Sequence, residues 1–113
     1  MGEIVSIRLL SFLELKHFGT QLKKKYQVTI LSATASRVRL QSPYWHHEES
    51  LLTDIQDYLL ARVPEIKKVR TTPAIGTVTI YFSIPEDFPL AAIEELETGL
   101  DKIYRKNGML LNE

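Results

Sequence analysis

The sequence contains no cysteine, which excludes disulfide staples, a thiol nucleophile and every cysteine-based zinc, copper or iron–sulfur site. Any metal would have to bind through histidine or carboxylate. The glycines, at positions 2, 19, 76, 99 and 108, are scattered and form no phosphate-cradling loop. No serine or threonine sits in a nucleophile-elbow pattern, so acyl transfer has no organised nucleophile. No apolar run approaches the roughly 20 residues of a membrane-spanning helix. Charge of one sign is not in surplus either. The 14 Lys and Arg balance the 14 Asp and Glu, which argues against a duplex-DNA binder that relies on bulk positive charge. The carboxylates Glu94, Glu95, Glu97 and Asp101 read as the solvated face of a helix rather than a catalytic pair. The expectation is a protein that is not an enzyme.

What is present is one domain's worth of chain. Its 113 residues are 44% apolar and 25% charged, with a mean hydropathy of −0.09, as in a globular protein with a single core. The charge balance conceals a separation. Residues 1–40 hold seven Lys and Arg against two acids, whereas residues 41–113 hold seven against twelve, a net of +5 followed by −5. Such asymmetry can steer a partner, although differently charged solvated faces are its ordinary meaning. Gly2 and Ser6 satisfy the loose myristoylation spacing. The basic n-region and small-residue cleavage site of a secretory signal are missing. The expected address is cytoplasmic, with a membrane surface within reach of residues 1–25.

Periodicity predicts a helix over residues 6–25, where Phe12, Leu15, Phe18 and Leu22 recur at helical spacing and Lys23, Lys24 and Lys25 suit its C-terminal end. Residues 26–31 and Arg37-Val38-Arg39-Leu40-Gln41 alternate as strands around a turn at 32–36. Leu51, Leu52, Ile55, Leu59 and Val63 repeat at helical spacing up to Pro64, which cannot continue a helix. Residues 66–72 and 77–84 read as a hairpin joined by Pro73-Ala74-Ile75-Gly76, with Pro fixing φ and Gly supplying a left-handed residue. Leu90, Ile93, Leu96, Leu100 and Ile103 make a last amphipathic helix that Asn107-Gly108 stops.

The order is a helix followed by ββαββα, with the apolar faces turned one way. That is an α+β open-faced sandwich. We expect a ferredoxin-like core in permuted ββαββα form: residues 26–31 fill the sheet edge that the usual unit gives to a final strand. Residues 1–25 would be an N-terminal extension and 26–113 the domain. Leu52, Ile55, Leu59, Ile80, Leu96 and Leu100 should be packed together.

Three segments carry a family resemblance: Ser32-Ala33-Thr34-Ala35-Ser36-Arg37-Val38-Arg39-Leu40, the helix ending Arg62-Val63-Pro64, and Ile66-Lys67-Lys68-Val69-Arg70-Thr71-Thr72-Pro73-Ala74-Ile75-Gly76-Thr77-Val78. In order and spacing they resemble a heavy-metal-associated-like family whose members lack the cysteine pair. The likeness covers about residues 26–105. Such domains accompany or belong to bacterial metal-transporting P-type ATPases. The resemblance therefore implies a ferredoxin-like fold, a role in metal homeostasis or transport, and a membrane ATPase as a partner. One departure stands out, Ser36 where that family tends to have Gly.

In metal-binding relatives of this fold the ligand loop joins the first core strand to the first helix, here residues 42–50. With no Cys-x-x-Cys, the resemblance transfers no ligand. The loop itself offers His46, His47 and Glu49, a donor set suited to Zn(II), Ni(II) or Cu(II) rather than Cu(I). Adjacent helical residues do not face one another, so the two histidines chelate together only if they lie outside the helix. The plainer reading is a helix N-terminus whose dipole the acids complement. Tyr44 and Trp45 read as an aromatic lid over one end of the core, and His17 as a surface residue.

Strand alternation turns Val78, Ile80 and Phe82 toward the helices and Thr77, Thr79, Tyr81 and Ser83 outward, on the face shared by Arg37, Arg39, Lys68 and Arg70. RNA-recognition domains read bases on such a face. Their Gly- and aromatic-rich signature is missing here, which argues against nucleic acid. The remaining partner surface is the stripe of Phe12, Leu15, Phe18 and Leu22, which can pack on the open sheet face, in a homodimer, on another protein or on an anionic membrane. Packing on the sheet would set Lys16, Lys23, Lys24 and Lys25 against Arg37, Arg39, Lys68 and Arg70, so docking elsewhere is expected. Arg37, Arg39 and Tyr81 complete the candidate partner-binding set. Two readings result: a metal-homeostasis module, or a protein-interaction adaptor that has lost its metal.

Overall fold

The computed structural model describes residues 22–34, 36–83 and 90–109. The alternating segments form strands β1 (Thr29–Thr34), β2 (Arg37–Gln41), β3 (Ile66–Thr72) and β4 (Thr77–Phe82). The segments with helical spacing form α1 (Glu49–Arg62) and α2 (Leu90–Lys106). The sheet runs β1-β2-β4-β3, and each neighbouring pair is antiparallel. The fold is α+β, a four-stranded antiparallel sheet with helices, compatible with a ferredoxin-like sandwich.

Burial follows the two periodicities. Val38 and Leu40 of β2, Val78, Ile80 and Phe82 of β4, and Val69 of β3 are buried with Leu52, Ile55 and Leu59 of α1 and Ile93, Leu96 and Leu100 of α2. All six expected core positions are completely buried. Gly99 lets the helices close on each other, because a Cβ there would collide with the Tyr58 ring. Beside it the Tyr58 hydroxyl donates to Glu95 Oε2 at 3.1 Å, and one turn from the other end Asn107 Nδ2 donates to Asp54 Oδ2 at 2.9 Å.

The N-terminal strand lies further along the chain than alternation implies. Residues 22–26 are helical, Gln27 takes a positive φ of 60° that ends the helix, and β1 starts at Thr29. A bulge between Ile30 and Ser32 leaves Leu31 half exposed and lets the strand continue to Thr34, so residues 32–34 are strand rather than turn. Leu22 and Tyr26 are buried in the main core cluster. Among the described residues the core cluster thus includes Leu22, N-terminal of residue 26. Phe12, Leu15, Phe18 and His17 lie outside the described residues, as do most of the expected N-terminal helix, residues 84–89 and residues 110–113.

A buried polar network fixes this end of the molecule. Trp45 Nε1 donates to the Tyr104 hydroxyl at 2.9 Å, and that hydroxyl donates to the carbonyl of Tyr26 at 3.4 Å. Ser42 Oγ donates to the same carbonyl and accepts from the Tyr44 amide. The rings of Tyr26 and Tyr104 meet edge to face at 5.6 Å. Burial, only partly offset by these hydrogen bonds, pushes the Tyr104 phenol up to about 12. Trp45 is thus a core residue, while Tyr44 is exposed beside it.

Candidate functional site: the open sheet face

The face of the sheet turned away from the core is ordered by strand register. Directly opposed residues share a face, and three rungs cross all four strands. The first is Thr34–Arg37–Tyr81–Lys68, the second Ser32–Arg39–Thr79–Arg70, and the third Thr29–Gln41–Thr77–Thr72. None of these residues is acidic. Four are cationic, and all four stand on the first two rungs.

The second rung explains the local shape. Arg39 and Arg70 rise from strands flanking the central β4, about 10 Å apart at two strand spacings. Between them stands Thr79, whose short side chain forms a floor. The result is an open cavity of about 310 Å³ lined by Arg37, Arg39, Arg70, Thr72, Ile75, Thr79 and Tyr81. Thr77 and Thr79 point to this face as alternation implies, yet they are 2% and 8% exposed. Thr79 is shadowed by the longer Arg39 and Arg70 on either side, and Thr77 stands between Gln41 and Thr72. Next to the cavity, Lys68 Nζ sits 5.8 Å from the centroid of the half-buried Tyr81 ring.

The electrostatics of the patch are one-sided. Among the described residues the ion pairs are Arg105–Asp101 and Lys106–Asp54, on the helical side. Arg37, Arg39 and Arg70 form no side-chain hydrogen bond or ion pair within the described residues. Guanidinium groups carry their charge at every ordinary pH and present planar forks that match carboxylate and phosphate. Three of them line one cavity with no ion-pair partner among the described residues, a lining whose chemistry suits an anion.

The loop before α1 is built differently. Pro43–Trp45 forms a single 3₁₀ turn capped by Ser42, and His46 and His47 follow it outside the helix. The loop is braced against the β3–β4 turn. The Ser42 amide donates to the Gly76 carbonyl at 3.1 Å, the His47 amide to the Pro73 carbonyl at 2.8 Å, and Gln41 Nε2 to the Ile75 carbonyl at 3.0 Å. His47 takes a φ of 58° to make its contact. The two imidazoles meet edge to face with centroids 6.3 Å apart, and His46, His47 and Glu49 are all exposed. Among the described residues, no three or more His, Asp or Glu side chains gather as a metal site would require.

The structure thus brings Arg37, Arg39 and Tyr81 together and adds Arg70, Lys68 and Thr79 to them. Leu22 of the candidate partner-binding stripe is occupied in the core, and Phe12, Leu15 and Phe18 lie outside the described residues. Thr72 and Ile75, which close one side of the cavity, carry no signal in the sequence, because their position depends on how the 3₁₀ turn Pro73–Ile75 folds back. No helix of the described residues is long and apolar enough to cross a membrane. Comparison with protein-family models, with curated proteins and with solved structures gives no match.

Proposed function

We propose that the chain is a non-enzymatic binding module, an adaptor that docks an acidic segment of a partner protein on its open sheet face. The observation that carries this reading is the three-rung pattern: four cations on adjacent rungs, no acid among the rung residues, and a cavity between the arginines. A permuted ferredoxin-like sandwich of the heavy-metal-associated-like kind fits the strand order β1-β2-β4-β3, in which β1 takes the edge beside β2. On that reading the module works in metal homeostasis or transport, in the cytoplasm or at a membrane surface, with a metal-transporting ATPase among its partner classes.

Binding of a fluorescent polyglutamate peptide and of an uncharged peptide of equal length tests the proposal. Anisotropy should rise with the acidic peptide alone, fall with added salt as expected for exposed charges, and be lost in the Arg39→Glu, Arg70→Glu double variant. Equal binding of both peptides, or an unchanged titration in the variant, overturns it. Metal binding through His46, His47 and Glu49 is a second proposal. What favours it is that both imidazoles stand in the loop before α1, where adjacent residues are not forced apart as they are on a helix.

A further inference from the structure

We propose that the cavity between Arg37, Arg39 and Arg70 is a receptor for a phosphorylated side chain, so that the acidic segment docks when it carries a phosphomonoester. This inference rests on the adaptor reading and names the chemistry of its central contact.

The charge count of the cavity favours a dianion. A single carboxylate neutralises one guanidinium and leaves two beside it uncompensated. A phosphomonoester brings close to two negative charges and three acceptor oxygens in one tetrahedral group. That number of acceptors suits arginine forks arriving from several directions. Here they arrive from β2 twice and from β3 once, across the floor made by Thr79. The hydroxyls of Thr72 and Thr79, which also line the cavity, add donors that a phosphate oxygen can use.

The shape of the cavity favours a compact group. The cavity of about 310 Å³ lies at the lower end of the roughly 300–1,000 Å³ found for small-ligand clefts. It suits one compact anionic group with its linker. The positive charge does not continue along the sheet, because the next rung is Thr29–Gln41–Thr77–Thr72. A nucleic-acid strand needs a basic track and successive aromatic platforms. Among the described rung residues the one aromatic is Tyr81, and the cations end after two rungs.

Residue type points the same way. The cavity is lined by arginines, while the lysine of the face, Lys68, stands over the Tyr81 ring. Planar bidentate recognition distinguishes arginine from lysine at a phosphate. Replacing the forks by point charges should therefore cost selectivity for phosphate more than it costs attraction for acids.

The test uses the full chain and degenerate peptide pools fixed only at a central phosphoserine, phosphothreonine or phosphotyrosine, each matched by its unphosphorylated pool, with inorganic phosphate and a single-stranded oligouridylate as further probes. At least one phosphorylated pool should bind about tenfold or more tighter than its match, the gain of one or more charge-assisted hydrogen bonds. The Arg39→Lys, Arg70→Lys variant should keep binding acidic peptides and lose the preference for phosphate. Its unfolding midpoint should equal that of the wild type. Equal binding of phosphorylated and unphosphorylated pools overturns this inference and leaves the adaptor reading standing. Failure of polyglutamate and of every pool overturns both. Tighter binding of the oligouridylate than of any pool overturns this inference in favour of nucleic acid, and retention of the full preference in the lysine variant places the phosphate elsewhere.

Discussion

Trp45 and Tyr104 share a hydrogen bond of 2.9 Å inside the core, the indole N–H donating to the phenol oxygen, with neither residue exposed to solvent. The bond ties the 3₁₀ turn after β2 to the C-terminal half of α2, and the Tyr104 hydroxyl passes it on to the backbone of Tyr26. Trp45→Phe removes the donor and should cost about 1–3 kcal/mol from the hydrogen bond alone, read as a lower midpoint in urea unfolding.

The same tyrosine gives a pH signature. Its phenol titrates near 10 when solvated, and burial in the fold raises it to about 12. The folded state disfavours the phenolate, so this contribution to stability is intact below pH 10 and is lost as pH rises toward 12. Unfolding midpoints across that window should fall more steeply for the wild type than for Tyr104→Phe. Parallel curves would show that the phenol ionises without hindrance in the fold.

Leu22 is completely buried and its carbonyl accepts from the Val28 amide at 3.2 Å. Leu22→Ala should cost about 2–5 kcal/mol, the range for a large-to-small core change. A near-neutral midpoint would return Leu22 to an external stripe available to a partner.

Gly76 has a φ of 62°, and a Cβ there would lie 2.6 Å from the His46 ring and 2.7 Å from the Ser42 carbonyl oxygen. The ring can turn away, but the carbonyl is backbone. Gly76→Ala should therefore destabilise by more than the ~1 kcal/mol of left-handed strain alone, and amide exchange should rise at Ser42 and His47, whose partners lie in this turn.

Metal titration separates the two functional readings. With two exposed imidazoles and no third ligand gathered among the described residues, the adaptor account expects calorimetry with Zn(II), Ni(II) or Cu(II) at micromolar concentration to show no stoichiometric complex. A one-to-one complex that disappears in His46→Ala, His47→Ala would instead favour the metal reading.

Periodicity was enough to locate the basic face, because Arg37-Val38-Arg39-Leu40 alternates without interruption and Lys68 and Arg70 lie two apart on β3. What periodicity could not give was the cavity. That depends on register, which sets Thr79 between Arg39 and Arg70, and register is fixed by the β3–β4 turn and by bulges at residues 31 and 67 that leave no mark in composition. The latch of the histidine loop was likewise hidden, since histidine tolerates a positive φ only as a minority conformation, and the His47 amide bond to the Pro73 carbonyl that accompanies it joins residues far apart in sequence. Tyr26 looked like a strand residue because β propensity ignores what a tyrosine hydroxyl and ring can meet 78 positions away, at Tyr104.

The central claim, that the open sheet face is the docking surface, is tested most directly by mapping amide chemical shifts of the labelled chain during titration with an acidic peptide. The account predicts shifts concentrated at Arg37, Arg39, Lys68, Arg70, Thr79 and Tyr81, with α1 and the histidine loop unchanged. Shifts confined to the helices or to residues 46–49, with the three rungs silent, would contradict it.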